Sequence, residues 1–199
     1  MGMLAPAVTL YFARHGETDW NLAQRYQGRQ DIPLNTRGRA QAARNGEALA
    51  RTLAGAASAL DRVASPLLRA RQTMEILLRK LAVAPCAYRT DARLAEINYG
   101  HWEGQLWTQL PLSDPEGFAA RKADMWNWQP RGGESYRALS ERVAGWLCAL
   151  ERDTLCVAHG GVMRVLRGLI EGLAPAQIFA LPVPQDRVLV IKDGAIAWL

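Results

Sequence analysis

Apolar positions along the chain follow two different periods, and the periods alternate. Dense runs of strand length, rich in β-forming residues, occur at Val8 to Ala13, Asp61 to Ser65, Thr154 to Ala158, Val188 to Ile191 and Ala195 to Trp198. Cys86 to Ala95 reads as one strand or two short extended pieces. Longer stretches with helical spacing lie between them. Thr36 to Leu53 places Ala40, Ala43, Leu49 and Leu53 on one side, behind an Asn35-Thr36 start signal. A second helix is predicted from Ser65-Pro66, with Pro66 in the first turn and Met74, Leu77, Leu78 and Leu81 as its apolar stripe. Ser135 is the expected cap of a third, which carries Leu139, Val143, Trp146, Leu147 and Leu150. A fourth follows His159 and carries Val162, Leu166, Ile170 and Leu173. Strands alternating with helices predict an α/β fold with a largely parallel sheet and helices on both faces. No linker, repeat or low-complexity segment interrupts residues 1–199, so one domain is expected.

The interruptions are as informative as the runs. Thr18 to Gly28 is polar and punctuated by glycine, a loop able to wrap an anion or an ordinary turn, and Asp31-Ile32-Pro33-Leu34 closes it. Glu96 to Gly104 is rich in glycine and aromatics and holds two carboxylates. Gln105 to Pro130 has weak helical periodicity and carries Trp107, Phe118, Trp126 and Trp128, which suggests a partly helical cover lining the substrate side of a pocket. An apolar, Trp-lined cover of this kind would suit a leaving group of low charge. The Lys192-Asp193-Gly194 segment predicts a terminal hairpin.

Composition narrows the class. The 199 residues are 49% hydrophobic and 22% charged, ordinary for a globular chain with a sizeable core. The net charge is +5, carried almost wholly by Arg, the better bidentate phosphate ligand. Basic residues are scattered rather than clustered, so no nucleic-acid partner is expected. Cys86, Cys148 and Cys156 have no C-x-x-C spacing and suit a reducing compartment. Met1 to Ala13 lacks a basic start and runs straight into polar residues, so it reads as the first strand and not as a leader. No apolar stretch is long enough to span a membrane. A cytoplasmic protein without a membrane partner is expected, as a monomer or homodimer.

The candidate chemistry begins at Arg14-His15-Gly16-Glu17, directly after the first strand. Open α/β sheets bind ligands at the carboxyl ends of their strands. There a permanent cation beside an imidazole suits a phosphoryl group. His159-Gly160-Gly161 repeats the layout after a second strand, so the two histidines can meet at one sheet edge. The rival reading, a metal held by both histidines with Glu17 or Asp19, has no metal-ligand spacing and an adjacent Arg14 that repels a cation. No metal and no cofactor are expected. The phosphate-binding loop of nucleoside triphosphatases, the G-x-S-x-G elbow and a catalytic cysteine context are all absent.

Several motifs in order resemble the histidine phosphatase superfamily, which includes the cofactor-dependent phosphoglycerate mutases. Arg14-His15-Gly16-Glu17-Thr18 with Asn21 is similar to the family's opening, and Gln27-Gly28, Asp31, Pro33, Leu34, Gly38, Gln41 and Ala42 continue it. Ser65-Pro66-Leu67-Leu68-Arg69-Ala70 with Thr73 resembles the second motif and selects Arg69 over Arg71. Glu96 with Gly100, Trp102, Glu103 and Gly104 resembles the third, and Gly133-Glu134-Ser135 and His159-Gly160-Gly161 with Arg164 complete the set. The resemblance implies a single-domain three-layer α/β/α sandwich and a phosphohistidine mechanism. His15 would be the nucleophile, Arg14, Arg69 and His159 would hold the equatorial oxygens, and Glu96 would be the proton donor. Asn21, Gln27, Gly28 and Gly160 would complete the phosphate and substrate site. Glu17, Glu103 and Glu134 compete with Glu96 for the acid–base role. Ile97 stands where the mutases place Arg, and Trp102-Glu103-Gly104 resembles the phosphatase branch, although that branch often has an acidic residue where Asn98 stands. The expected function is a metal-independent phosphomonoesterase acting on a small phosphorylated metabolite. The alternatives are a phosphoglycerate mutase and a non-enzymatic binding or scaffold protein on the same fold.

Overall fold

The computed structural model describes residues 8–199, so the Met1 to Ala7 part of the first-strand expectation lies outside the described residues. Six strands form one sheet: β1 (Leu10–Arg14), β2 (Asp61–Ala64), β3 (Arg89–Thr90), β4 (Thr154–Ala158), β5 (Val188–Lys192) and β6 (Ala195–Trp198), in the order β3-β2-β4-β1-β5-β6. The four strands from β3 to β1 are parallel, whereas β5 pairs antiparallel with β1 and β6 antiparallel with β5. The β5–β6 hairpin turns through Asp193 and Gly194, both at positive φ (51° and 76°), as its Asp-Gly pair predicts. In the parallel part Arg14 lies opposite Ala158, and Ala64 opposite Val157. That register carries His15, His159 and Ser65 to one edge, each the first residue beyond its strand.

Helices cover both faces: α1 (Asp19–Leu22), α2 (Thr36–Leu53), α3 (Leu68–Lys80), α4 (Leu110–Ser113), α5 (Pro115–Ala123), α6 (Tyr136–Leu147), α7 (Gly160–Glu171) and α8 (Pro175–Ala180). Alternate residues of a strand face opposite ways. Leu10, Phe12, Cys156 and Ala158 meet α6 and α7 through Leu139, Val143, Trp146, Val162 and Leu166. Ala13, Leu155 and Val157 meet α2 and α3 through Leu49, Met74, Leu77 and Leu78. Each fully buried aliphatic side chain contributes about 1.5–3 kcal/mol by leaving water, so both layers are needed to hold the sheet.

Three local expectations change. α3 begins at Leu68 with Leu67 as its cap, so Pro66 precedes the helix instead of sitting in its first turn. In α2, capped by Asn35 as expected, the packed face is Gly38, Gln41, Ala42, Asn45, Gly46, Leu49 and Leu53, while Ala40 is exposed. The Cys86 to Ala95 stretch keeps only the two-residue β3 and then a 3-10 turn, Ala92–Leu94. Gly16 is required by proximity, not by its φ: a Cβ there would overlap the Gly38 carbonyl of α2. That contact seats the start of α2 directly on the Arg14–Glu17 tetrad.

Candidate active site

A cavity of about 250 Å³ opens at the carboxyl edge, bordered by Arg14, His15, Arg69, Glu96 and Gly160. Its remaining walls come from Asn21, Arg25, Tyr26, Gln27 and Gly28 on one side and Tyr99, Gly161, Arg164 and Val183 on the other. His15 is buried, and the Gly16 carbonyl accepts from its Nδ1–H at 2.7 Å. The lone pair is therefore on Nε2, where Arg69 Nε approaches to 3.3 Å. Burial, reinforced by the Arg69 and Arg14 guanidinium groups, holds the His15 pKa well below the usual histidine range, so the ring is neutral. His159 caps α7 on the neighbouring strand, its ring centroid 5.1 Å from that of His15. Burial first, then Arg69, His15 and Arg14, also keeps it neutral.

The cations are held by backbone oxygens. Arg14 donates through NH1 to the Val183 carbonyl at 2.6 Å, and its buried Nε has no partner among the described residues. Burial lowers its pKa to about 10, which leaves it charged. Arg69 is locked by the carbonyls of Gln30 (2.7 Å) and Gly28 (2.8 Å). The amides are oriented too. Asn21 Oδ1 accepts from the Thr18 N–H and from Gln185 Nε2, and Gln27 Oε1 lies 3.0 Å from the Thr18 hydroxyl, so each amide is anchored through its oxygen.

Among the carboxylates, Glu96 borders the cavity, with Oε1 accepting from the Ile97 N–H (2.9 Å) and Oε2 from the Gly161 N–H (3.2 Å). The rivals are engaged elsewhere. Glu134 pairs with Arg142 at 2.7 Å, Glu103 accepts from the Arg29 N–H and Gln30 Nε2, and Glu17 accepts from Asn35 Nδ2. Among the described residues no group of three or more His, Cys, Asp or Glu side chains is placed to hold a metal ion.

All nine residues singled out from the sequence lie at this edge; eight border the cavity, and His159, fully buried, packs its ring against that of His15. The cover expectation is corrected: no residue from 105 to 130 lines the cavity. Trp128 packs on Trp102 with centroids 4.4 Å apart, and Trp126 packs against the α6–α7 core. The low-charge leaving group inferred from that cover loses its basis, because the walls hold Arg25 and Arg164. Arg25 and Tyr26 belong to the polar loop already suspected of wrapping an anion, and Tyr99 to the aromatic loop. Val183 and Gln185 had no sequence signal, because they reach the site only by tertiary packing.

Comparison with known proteins agrees with this geometry. The sequence pattern of the histidine phosphatase superfamily (branch 1) matches residues 10–195. A glucosyl-3-phosphoglycerate phosphatase of Mycobacterium tuberculosis is 33% identical over 185 residues, covering 86% of this chain and 79% of that protein. A probable phosphoglycerate mutase of Klebsiella pneumoniae is also 33% identical, over 94% of this chain and 82% of its own. The crystal structure of the α-ribazole phosphatase of Shigella flexneri superposes with a TM-score of 0.80 at 26% identity, over 96% of this chain and 95% of that one. The chain belongs to the histidine phosphatase superfamily. By class it is a phosphatase.

Proposed function

We propose that the chain hydrolyses small phosphorylated metabolites without a metal ion, through a covalent phosphate on His15. The observation that carries this reading is a neutral imidazole whose Nδ1–H is held by the Gly16 carbonyl, with its Nε2 beside an arginine-lined cavity. Nε2 attacks phosphorus in line, the ester P–O bond breaks with its electron pair going to the leaving oxygen, and Glu96 delivers the proton. Glu96 then takes a proton from water as that water displaces His15 and releases phosphate. Arg14 Nε and Arg69 stabilise the equatorial oxygens throughout. Rapid quenching with a phosphorus-labelled ester tests the reading: acid-labile label is expected on His15, and His15→Ala removes label and turnover together. Label on His159 instead, or activity abolished by a chelator and restored by a divalent ion, overturns it.

The mutase reading has a named relative behind it but a poorer fit at one position. Ile97, where the mutases offer Arg, is buried in the α6–α7 core and brings no charge to the cavity. We infer transfer to water. Isomerisation of 2- and 3-phosphoglycerate should be slower than phosphate release in an assay that follows both, even with 2,3-bisphosphoglycerate supplied.

A further inference from the structure

Four buried side-chain polar atoms lack a partner among the described residues: Arg14 Nε, Arg71 Nε, Trp146 Nε1 and His159 Nδ1. Two of the four belong to residues at the ends of the paired strands β1 and β4: Arg14 precedes His15 in the chain, and the His159 ring centroid lies 5.1 Å from that of His15. Arg14 Nε is always a donor. His159 Nδ1 is a donor in one tautomer and a bare lone pair in the other, and only the donor attracts a phosphoryl oxygen. The other ring nitrogen decides between them. His159 Nε2 lies 2.7 Å from Ser65 Oγ, in a fully buried contact. Ser65 is fixed there because its own N–H continues the sheet to the Val157 carbonyl at 2.9 Å, and its oxygen accepts from the Leu67 N–H at 3.3 Å. Among the described residues its single hydroxyl proton has one hydrogen-bond acceptor, Nε2. With the ring proton on Nε2, both the Ser65 proton and the Nδ1 lone pair would be buried and unsatisfied. With the ring proton on Nδ1, only that N–H is unsatisfied. Since each unsatisfied buried group is disfavoured, the second tautomer should dominate by about tenfold or more.

We propose that Ser65 is a positioning residue: its hydroxyl donates to His159 Nε2, sets the ring proton on Nδ1, and makes His159 a neutral donor to a phosphoryl oxygen. The inference rests on the hydrolytic reading of the site. With three histidines in the chain, nitrogen NMR of the histidine-labelled protein resolves each ring's tautomer. The expected spectrum shows His159 protonated at Nδ1 and bare at Nε2, with the Nδ1–H signal shifting when inorganic phosphate is added. Ser65→Ala should mix the two tautomers and lower both phosphate affinity and kcat/KM by about 10-fold on every ester, and Ser65→Thr should restore them. An Nε2-protonated His159 in the unmodified protein overturns the proposal, and that spectrum decides even where Ser65→Ala does not fold. So does a Ser65→Ala variant with an unmixed spectrum and full affinity. If no ester is hydrolysed at all, the hydrolytic reading falls, while the spectrum and the phosphate titration still judge the role of Ser65.

Discussion

Gly161→Ala perturbs Glu96 without altering any ionisable group. Gly161 is in the first turn of α7, where alanine is the better helix former by up to about 1 kcal/mol. Its Cβ, however, would sit on Glu96 Oε1 and 3.3 Å from Glu96 Cδ, with Ile97 Cγ2 at 3.4 Å behind it. Ile97 is buried and cannot give way, so the carboxylate must swing aside by about an ångström. It then loses the Gly161 N–H bond, a charge-assisted contact of the kind worth about 1.5–3 kcal/mol, which outweighs the helix gain by about 1–2 kcal/mol and lowers Tm by a few degrees. Proton delivery is far less forgiving. A misplacement of ~1 Å costs about 10²-fold in rate, or ~2.7 kcal/mol of barrier. Phosphate release should therefore fall about 10²-fold for glycerol phosphate, whose alkoxide must be protonated as it leaves. For p-nitrophenyl phosphate it should fall much less, since that leaving group departs as a stable anion. Equal loss on both esters, in a variant that melts normally, would refute Glu96 as the proton donor. Unchanged rates on both would refute the steric argument.

Other expectations follow from the same geometry. His15 and His159 are held neutral in the fold, so below the ordinary histidine pKa of ~6.5 the unfolded chain takes up protons that the folded one refuses; stability should fall with pH there by up to about 2.7 kcal/mol per unit, while His159→Gln removes part of that slope in melts from pH 7 to 5. Arg14, Arg25, Arg69 and Arg164 border the cavity with no carboxylate paired to any of them among the described residues, which leaves positive charge in excess even over a dianionic phosphoryl group. Arg164→Gln should lower kcat/KM for 3-phosphoglycerate about 10-fold relative to glycerol 3-phosphate, and an unchanged ratio would show that Arg164 does not meet the leaving group. Trp128→Ala should cost about 1–3 kcal/mol of stability, seen in denaturant melts, by removing its stack on Trp102, and should leave the ranking of substrates unchanged; a changed ranking would return this segment to the substrate.

The α/β class, the hairpin at Asp193-Gly194, the Asn35 and Ser135 caps and the placing of both histidines after strands were all legible in the sequence. Each rests on local physics: side-chain periodicity, turn chemistry, or a polar residue where a helix must begin. That Arg14, His15 and His159 meet at one edge was legible too, because residues at the ends of parallel strands are brought together by the register of the sheet; Arg69, inside α3, and Glu96, in a loop after a 3-10 turn, were joined to them only by the family resemblance, and the structure puts both on the same cavity. Three things were decided only in three dimensions. The Gln105 to Pro130 aromatics looked like a pocket cover because their spacing suited no regular helix, yet Trp126 and Trp128 are half-buried against the α6–α7 core and Trp102, away from the cavity. Val183 and Gln185 reach Arg14, His15 and Asn21 across more than 160 residues of chain, and nothing in a proline-broken loop signals such a contact. The tautomers of His15 and His159 depend on which oxygen, Gly16 carbonyl or Ser65 hydroxyl, approaches which ring nitrogen. A sequence names the imidazoles, but the direction of a hydrogen bond belongs to the packed structure.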